Sequence, residues 1–92
     1  MKTVLQKNKE CYVCKTTLGL HRHHVFGASN RSRSEKYKLT VFLCGYHHNL
    51  SNNGVHFNKD LDVHLKQYAQ EYFERHIGDR NDFRRLFGKS YL

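Results

Sequence analysis

Proline is absent from this chain of 92 residues, and acidic side chains are scarce: 8 Asp and Glu stand against 16 Lys and Arg, a formal net charge of +8. No internal repeat, low-complexity tract or linker interrupts it, so residues 1–92 read as a single domain. The longest near-apolar run, TVFLC at 40–44, is far too short to cross a bilayer. The opening MKTVLQKNKE has no apolar stretch of the kind a secretory signal needs. Cysteine occurs three times, at Cys11, Cys14 and Cys44, and an odd number leaves one unpaired in any disulfide framework. The expectation is a cytoplasmic chain in a reducing compartment, with no membrane partner. Hydrophobic residues make up 38% of the chain, thin for a self-sufficient core at this size. A staple is therefore expected, and metal fits better than disulfide.

What is present is histidine, in two clusters. LHRHHVFG at 20–27 holds three within five positions, and CGYHHN at 44–49 holds a further pair. Cys11 and Cys14 have C-x-x-C spacing, and Cys44 and His47 repeat it as C-x-x-H. A tight turn between two ligands aims both donor atoms inward, so two such knuckles can close a tetrahedral Zn2+ site with no open position. Such a site is structural, and in so small a domain its binding energy is a large part of the folding energy.

The order of elements reads as strand, loop, strand, helix, with the knuckle in front. HRHHVF at 21–26 and LTVFLC at 39–44 are β-prone and are expected to pair as an antiparallel hairpin. GASNRSRSEKYK between them reads as a loop, and a turn at 53–54 is expected after the second histidine pair. Residues 60–77 carry the clearest helical period, with Leu61, Leu65, Tyr68, Ala69, Tyr72, Phe73 and Ile77 as one apolar stripe, Asp60 as a cap and Gly78 as a stop. A shorter helix is expected over NDFRRLF, ending at Gly88. Phe57, Tyr68, Tyr72 and Phe73 are assigned to the core, and His64 and His76 to packing at or beside the stripe. The class is α+β.

With His47 assigned to zinc, His23, His24, His48 and His56 remain, and paired strands would bring them to one place. In this set the sequence resembles the HNH, or ββα-metal, endonuclease family. The resemblance rests on HHV at 23–25, FLCGYHH at 42–48 and VHF at 55–57, and covers residues 11 to about 60, with a helical part from about 60 to 92. The Ref-type phage recombination-enhancement nucleases and small prophage HNH proteins are similar in these elements, the latter also in the trailing FGKSYL. The resemblance implies that His23, His48 and His56 ligate a catalytic divalent ion (Mg2+, Mn2+ or Zn2+) and that His24 is the general base. It implies DNA as substrate, with a recombinase filament or another phage or host DNA-processing protein as a candidate partner. Two departures stand out. Leu39 occupies the place of the family's middle asparagine, and eight positions separate His48 from His56 where many members use four. Strict strand alternation also makes His21 a rival to His23, although a surface or packing role is preferred for it.

The chemistry suits these residue types. A neutral imidazole can take a proton from water near neutral pH. Arg31, Arg33 and Lys36 in the loop could meet phosphate by charge-assisted contacts. The expected function is DNA phosphodiester hydrolysis, as nicks or double-strand breaks with low sequence preference; cutting both strands would need rebinding or a homodimer. The rivals are a non-catalytic zinc-knuckle module that binds nucleic acid and a small adaptor whose zinc supports protein contacts. Three ligands with a fourth histidine left free would favour catalysis over a filled structural site.

Overall fold

The computed structural model describes residues 3–49 and 54–92, so the turn expected at 53–54 lies partly outside the described residues. Two strands, β1 (Leu20–His24) and β2 (Thr40–Cys44), pair antiparallel, with Leu20 opposite Cys44 and His24 opposite Thr40. All five β2 residues are buried. β1 covers one edge of β2, and the N-terminal segment runs along the other. Val4 donates its N–H to the Lys38 carbonyl (3.1 Å) and Tyr12 to the Phe42 carbonyl (2.8 Å). Phe42 N–H in turn donates to Gln6 Oε1 at 2.6 Å. This double cover explains why TVFLC shows no alternation of polar and apolar residues.

The connection between the strands is not the plain loop expected. It contains a 3-10 turn (Ala28–Asn30) and a short helix, α1 (Arg31–Lys36). The only buried residue of α1 is Ser34, whose hydroxyl accepts from Phe26 N–H and donates to the Phe26 carbonyl, both at 2.9 Å. A helix held by one polar residue has no apolar period to read. Ser34 thus braces this segment, while Leu39 is fully buried in the core. Asn30 takes another role, donating to the Phe87 carbonyl at 3.0 Å.

A four-residue helix, α2 (Gly45–His48), follows β2 directly, and the long helix α3 spans Lys59–His76. The cap of α3 is Asn58 rather than Asp60; its Oδ1 accepts from Leu61 N–H at 3.2 Å, while Asp60 and Asp62 sit in the first turn, where the helix dipole favours them. The last helix, α4 (Arg80–Phe87), starts with an Asp79–Asp82 capping box and stops at Gly88, whose φ of +97° suits glycine.

Leu65, Ala69 and Phe73 of α3 meet Phe83 and Phe87 of α4 and Phe26 after β1 in a largely aromatic core. The Phe26 ring centroid lies 4.7 Å from that of Phe87 and 5.3 Å from that of Phe83. Buried Gln70 anchors the C-terminal tail: it accepts from Tyr91 N–H (2.7 Å) and donates to Ser90 Oγ (2.9 Å). The stripe is narrower than its sequence period suggested. Phe57 is 64% exposed, and Tyr68 and Ile77 are also exposed, so Phe57 is not core. Tyr68 instead uses its hydroxyl, donating to the Leu5 carbonyl at 2.9 Å. His64 and His76 are exposed too; His64 Nε2 lies 3.1 Å from the Tyr12 hydroxyl. Among the described residues no helix is long and apolar enough to cross a membrane.

Candidate metal centres

The first centre gathers Cys11 and Cys14 from the N-terminal knuckle, Cys44 from the end of β2 and His47 from α2. The knuckle is a closed turn, with Lys15 N–H donating to the Cys11 carbonyl (3.0 Å) and Cys11 N–H to the Thr16 carbonyl (2.8 Å). Zinc at about 2.3 Å from sulfur and about 2.0 Å from nitrogen would set two thiolates about 3.8 Å apart and a thiolate about 3.5 Å from an imidazole nitrogen. The observed separations are 3.8 Å for Cys14 Sγ to Cys44 Sγ, 3.3 Å for Cys44 Sγ to His47 Nδ1 and 3.7 Å for Cys11 Sγ to His47 Nδ1. The Cys3His set therefore fits a metal such as zinc. Burial raises the Cys11 thiol, but hydrogen bonds from the backbone of Cys14, Cys44 and Val13 and from the Cys14 side chain outweigh it and bring the pKa to about 6. Cys11 is thus inclined to the thiolate form that a metal needs.

The second centre gathers His23, His48 and His56, one nitrogen from each lying within 4.8 Å of the others. Each comes from a different element: β1, the end of α2, and the turn before α3. The return of His56 is fixed by backbone. Val55 N–H donates to the His47 carbonyl at 2.8 Å and His56 N–H to the His48 carbonyl at 3.2 Å. Gly54 permits this approach, since a Cβ there would stand 2.6 Å from the His48 carbonyl oxygen. The longer gap between His48 and His56 thus does not keep them apart: their Nε2 atoms are 3.0 Å from each other.

Burial, then the nearby His48 and His56, depress the pKa of His23 to about 3; burial, then His56 and His21, depress that of His48 to about 4. Both rings are therefore neutral at physiological pH, as ligands must be. His23 is 8% exposed, and its Nε2 is buried without a hydrogen-bond partner. Such an orphaned nitrogen costs roughly 1–3 kcal/mol, a cost that a bound ion would offset. Two nitrogens 3.0 Å apart, each about 2.1 Å from one ion, would subtend about 90° there, which is acceptable ligand geometry. An all-imidazole set suits a transition metal better than Mg2+, which prefers oxygen.

His24 is not in this cluster. Period-two alternation holds along β1: His21 and His23 face His48, while Arg22 and His24 face Glu35. Glu35 Oε2 lies 2.7 Å from both His24 Nε2 and Arg22 Nη1. The guanidinium first, then the imidazole, hold the Glu35 carboxyl below its usual range. Both sets nevertheless line one cleft of about 560 Å³, with His23, His48 and His56 on its wall beside His24, Arg22, Arg31 and Lys66. Asp62 is the single carboxylate on that wall, and Lys66 Nζ neutralises it at 2.8 Å. Arg31 reaches the cleft, whereas Arg33 and Lys36 do not line it; Arg33 donates to Asn30 and Lys36 lies over the Tyr37 ring.

His21 was assigned to surface or packing, yet its Nδ1 lies 2.9 Å from His48 Nδ1. Its signal in the sequence was the shared strand face with His23. Tyr91 was also missed, because only the folded tail brings it to the cleft wall. No protein-family model, curated protein or solved structure matches the chain.

Proposed function

We propose that the chain is a metal-dependent endonuclease of the HNH type, hydrolysing DNA phosphodiesters with little sequence preference. The observation that carries this reading is the convergence of three imidazoles on the wall of a cation-lined cleft, beside a fourth histidine that lies outside their cluster. His23, His48 and His56 would hold a divalent ion, which when bound stabilises negative charge on a phosphate oxygen and on the departing oxygen. Three protein ligands leave room for substrate, unlike the four of the Cys3His set.

His24 is the general base in this reading. Its Nε2–H donates to Glu35, and no hydrogen bond reaches Nδ1 among the described residues. That nitrogen keeps its lone pair for a proton from water, and the carboxylate orients the ring. Arg22, Arg31 and Lys66 attract and position the phosphate backbone, contacts that carry no sequence information. The net charge of +8 supports the same partner class.

The commitment of His24 Nε2 to Glu35 favours a second reading, a non-catalytic nucleic-acid-binding module. Supercoiled plasmid incubated with purified protein and Mn2+, Zn2+ or Mg2+ separates the two. Relaxed or linear product from wild type, lost in a His24→Ala variant that keeps its fold and zinc, supports the nuclease. Plasmid retardation without cleavage across all three metals supports the binding module.

A further inference from the structure

We infer that His21 is a positioning residue for the second metal centre, fixing the His48 ring in the tautomer and orientation that present Nε2 to the ion; this rests on His23, His48 and His56 being a metal site. The two Nδ1 atoms are 2.9 Å apart and the rings meet edge-on at 86°, with centroids 5.0 Å apart. A contact this short between two ring nitrogens requires a proton on one and a lone pair on the other. If the proton were on His21 Nδ1, then His48 would carry its own proton on Nε2, pointing at His56 and blocking ligation. Metal binding therefore selects the opposite arrangement: His48 Nδ1–H donates to His21 Nδ1, and the proton of His21 sits on its Nε2.

Three observations support this role over that of a fourth ligand. His21 meets the nitrogen of His48 that is turned away from His56, so it addresses the far side of the ring. His21 shares a face of β1 with His23, so one strand supplies both a ligand and the support of another. Among the described residues, nothing else hydrogen-bonds His48 Nδ1, and His48 is the last residue of a four-residue helix. Partners of this kind raise the basicity of a ligand imidazole, and their loss weakens metal affinity by about 10–100-fold.

The test uses the full chain, with one equivalent of Zn2+ to fill the thiolate centre and Co2+ titrated while visible absorption is followed. Wild type is expected to take up one Co2+ with the weak bands of a nitrogen and oxygen site. His21→Phe, which keeps a ring but no acceptor, is expected to bind Co2+ about 10–100-fold more weakly. His21→Asn, which can offer an oxygen near the place of Nδ1, is expected to restore most of that loss. His21→Ala carries the comparison if circular dichroism shows that phenylalanine does not fit. Equal affinity in wild type and the variants without an acceptor overturns the inference while leaving the metal site standing, as does failure of a folded asparagine variant to bind better than they do. If wild type itself takes up no Co2+, and His48→Ala behaves identically, the site reading fails and the inference falls with it.

Discussion

The Cys3His and three-histidine clusters adjoin in the chain, at His47 and His48, yet differ in donor type, donor number and surroundings. The first combines thiolates with one imidazole, takes four donors and ties the N-terminal knuckle to the end of β2. The second has imidazoles alone, three donors and a cation-lined cleft beside it. His47 and His48 are neighbours in α2 and serve one cluster each. One helical turn therefore links the two clusters, and single substitutions can be aimed at each separately.

The largest effect is expected from Cys11→Ala. A structural zinc contributes about 10–16 kcal/mol, comparable to or above the whole stability of a small domain at about 5–15 kcal/mol. Far-UV circular dichroism with metal analysis should show the variant unfolded and without zinc at 25 °C. A native-like spectrum would erase the contrast between the clusters. His24→Ala comes next: cleavage should fall about 10²–10⁴-fold, as for loss of a general base, with thermal stability and metal content unchanged. A parallel loss of stability would move His24 to the structural side.

Gly54→Ala is expected to cost about 1–3 kcal/mol, because its Cβ would press on the His48 carbonyl and one of the two segments must move. Denaturant unfolding measures that cost, and weaker uptake at the histidine cluster with the thiolate cluster intact would show that the strain acts on one side. The smallest effect belongs to the α3–α4 junction, distant in chemistry from both clusters. Hydrogen bonds from Arg80, then Gln70, depress the Glu74 pKa below 4.5. A depressed carboxylate contributes stability that is present above its unfolded pKa and is lost as pH falls through the folded value. Glu74→Gln should therefore flatten the acid limb of stability against pH below about 4.5 and leave metal uptake at neutral pH alone. An unchanged acid limb would remove Glu74 from that junction.

Spacing made the knuckles legible, because ligand geometry constrains local sequence: C-x-x-C and C-x-x-H place donors whatever lies between. β2, α3 and α4 were legible from hydrophobic pattern, and the end of α4 from Gly88, whereas the cap of α3 was misplaced by two residues, from Asn58 to Asp60. α1 was not, since one buried serine holds it, and neither was the exposure of Phe57, which depends on where the turn before α3 leaves the core. In the histidine cluster, His23, His48 and His56 were reached through family resemblance, and the structure brings their nitrogens together. His24 illustrates the reverse: strand pairing was expected to gather it with the other three, but alternation turns its ring to Glu35, so that it lines the same cleft outside their cluster. Glu35 escaped notice because its partner His24 lies 11 residues away, and His21 was noticed only as a rival to His23, because its contact with His48 spans 27 residues.

A crystal structure of the protein soaked with Mn2+ and a short phosphodiester, read by anomalous scattering, tests the difference between the two clusters most directly. An ion held by His23, His48 and His56 with a water or phosphate oxygen in its remaining positions is the predicted result. An ion enclosed by four protein side chains there, or no ion at all under conditions that leave the Cys3His cluster filled, would contradict it.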